Sequence, residues 1–194
     1  MEKLNTEYNI ILGSKSPRRI ELLKLMGFNF EIRQLDVDES YPTALTPINT
    51  AIYLSKKKAN SYLIKKNEIL ICADTIVYIN NMILGKPTTK KEAFKMLTTI
   101  SNNRHFVVTG VTLKTIKKEI SFYDRSTVYV NKLSKAEINY YINNYNPLDK
   151  AGGYGIQEWL GLIAIGKISG SFYNVMGLPT EKVYHRLLEL SNKN

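Results

Sequence analysis

The sequence predicts an α/β fold, a mixed sheet flanked by helices, in one domain spanning residues 1–194. Period-two and continuous apolar runs alternate with segments of helical period along the chain, with no internal repeat and no low-complexity linker between them. Two long β-patterned runs, 106–116 and 120–130, are parted by a short segment centred on Lys117-Lys118, which predicts a hairpin. A chain of 194 residues sits near the upper end of what one hydrophobic core supports.

The elements follow in order. Residues 10–13 read as a buried strand, then Ser14-Lys-Ser-Pro17 leads into a helix over 18–26 that stops at Gly27. Ser16 is placed as N-cap, with Pro17 at the first helical position where a missing N–H does no harm. A second strand is predicted over 30–35. An acidic loop with Asp36, Asp38 and Glu39 then precedes Thr46-Pro47, a cap-plus-proline start for a helix to about residue 65. Residues 69–79 form an apolar strand interrupted only by Asp74 and Thr75 and closed by the turn signal Asn80-Asn81. Capping boxes at Thr89/Glu92 and Ser134/Glu137 start helices that reach about 99 and 143. Turn chemistry fills 146–153, a strand is expected over 162–168, and an amphipathic helix over 180–190 closes the chain.

Composition narrows the class of protein. With 44% hydrophobic and 23% charged residues the chain is neither disordered nor fibrous. Its first eight residues lack the pattern of a signal peptide and no apolar run approaches a membrane span, so a cytoplasmic protein away from membranes is expected. The single cysteine, Cys72, lies inside an apolar strand and reads as a core thiol rather than a nucleophile. A net charge of +10 suits nucleic acid, membrane phosphates or a small polyanion alike.

Particular residues discriminate further. Ser14, Arg18 and Arg19 stand at a helix start, where hydroxyls, guanidinium groups and unpaired N–H groups suit a polyphosphate, although basic first turns also occur as plain surface. Asp74 in an apolar strand needs a counter-charge, a cation or a chemical role, or else backbone N–H partners. Glu39 could supply a second carboxylate, and two carboxylates with phosphate oxygens suit hexacoordinate Mg²⁺. Lys58 and Lys86 read, alone, as surface. His105 and His185 lack ligand-spaced partners, so neither a zinc site nor a Ser-His-Asp triad is expected.

Together these stretches resemble the Maf family of nucleotide pyrophosphatases. The resemblance runs in order through Ile11-Leu-Gly-Ser-Lys-Ser-Pro-Arg-Arg-Ile-Glu-Leu-Leu23, Asp38-Glu39, Lys58-Ala59, Ala73-Asp-Thr-Ile-Val77, Gly85-Lys-Pro87, Asp149-Lys-Ala-Gly-Gly-Tyr-Gly-Ile-Gln157 and Gly170-Ser-Phe-Tyr-Asn-Val-Met-Gly-Leu-Pro179. It implies the elongated mixed sheet of the inosine triphosphate pyrophosphatases, with a cleft between two lobes, commonly in a homodimer. It also implies that Ser14, Arg19, Glu39, Lys58, Asp74 and Lys86 are active-site positions, Asp74 accepting the proton and Glu39 and Asp74 holding a divalent cation (Mg²⁺, Mn²⁺ or Co²⁺). Arg18, Thr75 and Gln157 resemble the branch acting on dTTP and UTP, rather than the one acting on 7-methyl-GTP. The Gln157 amide offers an acceptor and donors side by side, which suits the N3–H and O4 edge of thymine or uracil and, flipped, cytosine. Three positions depart from the usual pattern: Gly13 and Gly153 stand where alanine is common, and Glu158 where glycine is. A rival reading, a basic nucleic-acid or partner-binding regulator linked to septum formation, has no use for two carboxylates in its groove.

Overall fold

The computed structural model describes residues 2–191. Its seven strands form one sheet: β1 (Asn9–Leu12), β2 (Phe30–Ile32), β3 (Glu68–Ile79), β4 (Met82–Leu84), β5 (Asn103–Lys114), β6 (Glu119–Val130) and β7 (Ile165–Ser169). The order is β2-β1-β3-β5-β6-β7, with β4 also pairing β3. β1 runs parallel to β2 and β3, and the remaining pairs are antiparallel, so the sheet is mixed as predicted.

Strand β3 organises the molecule because both of its faces are covered. Successive side chains alternate between faces, so Ile69, Ile71, Ala73 and Val77 enter the main core while Leu70, Cys72, Ile76 and Tyr78 face the other way. The second face is covered by α3 (Pro47–Asn60) through Ala51, Leu54 and Ala59. Burial on both sides explains the near-continuous apolar run in this strand. The main core is closed by α2 (Pro17–Leu25), α4 (Lys90–Ile100), α5 (Lys135–Asn144) and α8 (Thr180–Ser191), through residues such as Leu22, Leu97, Tyr141 and Leu187. The helix α3 lies so close to β5 that a side chain at Gly110 would meet the backbone of Ala51 at 2.4 Å. Only glycine permits that approach.

Several boundaries differ from the sequence reading. The third helix ends at Asn60, well short of residue 65, where the Ser61 hydroxyl donates to the Lys58 carbonyl and closes the last turn. β2 stops at Ile32 rather than residue 35, because its partner β1 ends at Leu12. Residues 162–164, expected in a strand, end the short helix α6 (Trp159–Ala164), and β7 starts at Ile165; a brief apolar run has no period long enough to separate the two forms. Asn80 and Asn81 both take left-handed backbone angles and turn β3 into the unanticipated strand β4. Two further short helices were not legible, α1 (Glu2–Glu7) and α7 (Phe172–Met176).

The helix starts are largely as predicted. Ser134 and Glu137 form a full capping box. Thr89 caps α4, but the Glu92 carboxylate reaches Thr88 instead of Thr89. Ser16 occupies its N-cap position without a capping side-chain bond; the Ser14 hydroxyl accepts from the Ser16 N–H instead. No helix among the described residues is long and apolar enough to cross a membrane.

Candidate active site

A cleft of about 400 Å³ opens where the loop after β1, the middle of β3 and the loop before α6 converge. Its lining includes all nine residues singled out from the sequence: Ser14, Arg18, Arg19, Glu39, Lys58, Asp74, Thr75, Lys86 and Gln157.

The alternation of β3 divides the cleft's chemistry. Asp74 points to the α3 side and Thr75 to the opposite one. On the α3 side, Lys58 Nζ stands 2.5 Å from Asp74 Oδ1 and 2.8 Å from Glu39 Oε1, bridging the two carboxylates. Lys86 Nζ lies 3.8 Å from the other Glu39 oxygen. The side chains of Lys58 and Asp74 are each only 12% exposed, whereas Glu39 and Lys86 sit at the open mouth. Partial desolvation raises the Glu39 carboxyl pKa, but Lys58, Lys86 and Arg19 outweigh it and hold the group below its ordinary value. Lys58 and Lys86, unremarkable in isolation, are therefore the cations of this pair of carboxylates.

On the other side, Arg19 is buried and anchors three segments. Its Nε donates to the Gly177 carbonyl at 2.9 Å, one terminal nitrogen to Ser14 Oγ at 3.2 Å and the other to Thr75 Oγ1 at 3.0 Å. A guanidinium has five N–H donors, so these three bonds leave two for an anion. Burial lowers the Arg19 pKa while Asp74 opposes the shift. Thr75 shares a hydrogen bond with Thr109 at 3.0 Å, and Thr109 donates to the Asn174 carbonyl at 3.1 Å. Thr75 thus links the cleft lining to a buried hydroxyl chain behind it.

The third wall is the segment 149–157. Arg18 faces Asp149 at 3.6 Å, and Gln157 is exposed into the cleft. Tyr154 also lines it, sharing a 2.7 Å hydrogen bond with the buried His105. Asp149, Lys150 and Tyr154 carried no role in the sequence reading, since a turn-rich loop with adjacent Asp and Lys looks like solvated surface. The burial of Lys150 and Tyr154 depends on contacts distant in sequence.

Two further residues gain explanations. Cys72 is buried, and burial pushes its thiol up to about 12, as a core thiol requires. It also accounts for Gly13: a Cβ there would meet Cys72 Sγ at 2.6 Å and Leu35 Cδ1 at 2.7 Å.

As a donor set the site is incomplete for a metal by itself. Among the described residues no three Asp, Glu, His or Cys side chains cluster to hold an ion. Glu39 and Asp74 nevertheless converge on a single cation, Lys58, so a divalent ion sharing them would complete its shell with oxygens of a bound polyphosphate and water.

The family pattern described as Maf-like protein matches residues 9–190, nearly the whole chain. The chain belongs to the Maf family. It is 46% identical over 184 residues to a dTTP/UTP pyrophosphatase of Parabacteroides distasonis, covering 93% of this chain and 95% of that one. A dTTP/UTP pyrophosphatase of Flavobacterium johnsoniae is 47% identical over 191 residues, covering 97% and 98%. Among solved structures, this Maf family member is similar to a HAM1 protein from Coxiella burnetii, with a TM-score of 0.48 and 14% identity over 95% of this chain and 97% of that one.

Proposed function

We propose that the chain hydrolyses dTTP and UTP to the monophosphate and pyrophosphate, clearing these nucleotides from the pool as a cytoplasmic homodimer that uses a divalent cation. The observation that carries the reading is the carboxylate pair Glu39/Asp74 bridged by Lys58 in a cleft ringed with cations, in a chain whose relatives at 46–47% identity bear the name dTTP/UTP pyrophosphatase. A cleft for a polyanion needs positive charge. Carboxylates in the same place serve proton transfer and cation binding.

In this reading the triphosphate enters past Lys86 and Arg18. Ser14 and the first-turn N–H groups of α2 cradle it, and the two remaining Arg19 donors face its oxygens. Asp74, paired with Lys58, accepts the proton of a water that attacks the α-phosphorus; the bond from phosphorus to the bridging oxygen breaks, and pyrophosphate leaves. Lys58, Lys86 and Arg19 offset the charge that gathers on the leaving group. Glu39 and Asp74 would hold Mg²⁺, Mn²⁺ or Co²⁺, which when bound neutralises phosphate charge. Gln157 faces the pyrimidine edge, with Arg18 and Thr75 shaping that end of the cleft.

The test is a product screen over dTTP, UTP, CTP, GTP and 7-methyl-GTP with each of the three metals. Pyrophosphate and monophosphate from dTTP and UTP are expected. Orthophosphate plus a diphosphate would overturn the chemistry. A preference for 7-methyl-GTP would overturn the base assignment.

A further inference from the structure

Behind the Gln157 loop lies a charge network of which only Arg18 takes part in the reading above. Glu158 follows Gln157 and occupies the N-cap position of α6, yet its side chain makes no capping bond. It turns inward. One carboxylate oxygen accepts the hydroxyl hydrogen of Tyr141, and the other stands 3.0 Å from Lys150 Nζ. Tyr141, fully buried on α5, accepts the Gly155 N–H at 2.9 Å. A single phenol thus ties Glu158 to the backbone two residues before Gln157. The loop is close-packed there, since a Cβ at Gly155 would meet Glu158 Cδ at 2.7 Å.

The second arm of the network reaches Arg18. The Lys150 side chain is only 5% exposed and sits between Glu158 and Asp149, the latter at 2.7 Å, while donating to the Asn146 carbonyl at 2.5 Å. Asp149, 45% exposed, also faces Arg18 at 3.6 Å. A buried ammonium needs a full counter-charge. With Glu158 supplying part of it, Asp149 can serve Lys150 and Arg18 together. Without Glu158, Lys150 draws Asp149 to itself and Arg18 loses its partner.

We infer that Glu158 is a positioning residue for base selection: through Tyr141 it braces the loop presenting Gln157, and through Lys150 and Asp149 it fixes Arg18. The inference rests on the reading above that Gln157 and Arg18 face the base, and it goes further by making one carboxylate set both.

The test compares the full-length wild type with Glu158→Ala and Glu158→Gln, by amide hydrogen exchange over 149–158 and by separate kcat and KM for dTTP and GTP. In Glu158→Ala, exchange over 153–157 should rise about tenfold, and KM for dTTP about tenfold with kcat within about twofold, narrowing the dTTP over GTP preference, as expected for loss of charge-assisted bonds. Glu158→Gln still accepts from Tyr141, so its exchange should stay near wild type, while the lost charge toward Lys150 should raise KM for dTTP about threefold. Unchanged exchange in Glu158→Ala overturns the brace. Equal losses for dTTP and GTP, or losses in kcat alone, overturn the role in selection. If Glu158→Ala does not fold, an unchanged dTTP KM in Glu158→Gln overturns the proposal. A wild type that releases no pyrophosphate from dTTP would instead refute the functional reading, and the exchange measurement would still judge the brace.

Discussion

The Lys58 ammonium stands between Asp74 and Glu39, 2.5 Å from one carboxylate and 2.8 Å from the other, so a helix cation neutralises a strand carboxylate and a loop carboxylate together. A divalent ion sharing these oxygens must contend with Lys58 for them. Bound phosphate oxygens give Lys58 an alternative partner, so nucleotide and metal should favour each other's binding.

Asp74→Asn should fold and should lower turnover of dTTP about 10²-fold or more, because the amide cannot accept the water's proton. Circular dichroism with steady-state kinetics checks it. A folded variant with a near-normal rate removes Asp74 as the base.

Chelation by EDTA should abolish pyrophosphate release, and Mg²⁺, Mn²⁺ or Co²⁺ should restore it, since only two carboxylates converge here and a polyanion needs neutralising. Full turnover in metal-stripped protein and buffer would contradict this.

Gln157→Ala should lower kcat/KM for dTTP and UTP by a factor corresponding to about 1–3 kcal/mol, because buried base atoms are left unpaired. A poor purine substrate should change little. An equal decrease across pyrimidine and purine triphosphates would show that Gln157 does not read the base.

His105 predicts a pH dependence of stability. Burial pulls its imidazole pKa down from 6.5 to about 4, so the unfolded chain takes up a proton at higher pH than the folded one. Its contribution is fully present above about pH 6.5 and is lost as pH falls toward 4, by up to roughly 3 kcal/mol. Urea unfolding of wild type and His105→Gln at pH 7, 5.5 and 4.5 should show the variant losing less over this range. Identical slopes would mean that His105 titrates normally.

The residues of the candidate site were legible to very different degrees. Asp74 announced itself, because a carboxylate in an apolar strand conflicts with its surroundings whatever the rest of the fold does. The Ser14–Arg19 loop was legible as a helix start of suitable chemistry. Lys58 and Lys86 had no local signal of their own, and only their resemblance to family positions raised them above surface lysines.

Local order along the chain determined the longer helices, the long strands and the hairpin, since periodicity, capping and apolar runs are properties of neighbours in sequence, while the full list of residues facing the cleft came from the family resemblance. Only the tertiary structure decided that Lys58 bridges Glu39 and Asp74, that Arg19 joins Ser14 to Thr75 and Gly177, and that Glu158 meets Lys150 and Tyr141. It also decided that residues 162–164 are helical. The reason in each case is the same: an ion pair or a buried hydrogen bond is selected by which side chains share a low-dielectric space, and that space exists only once α3 and the 149–158 loop have packed against opposite faces of the sheet.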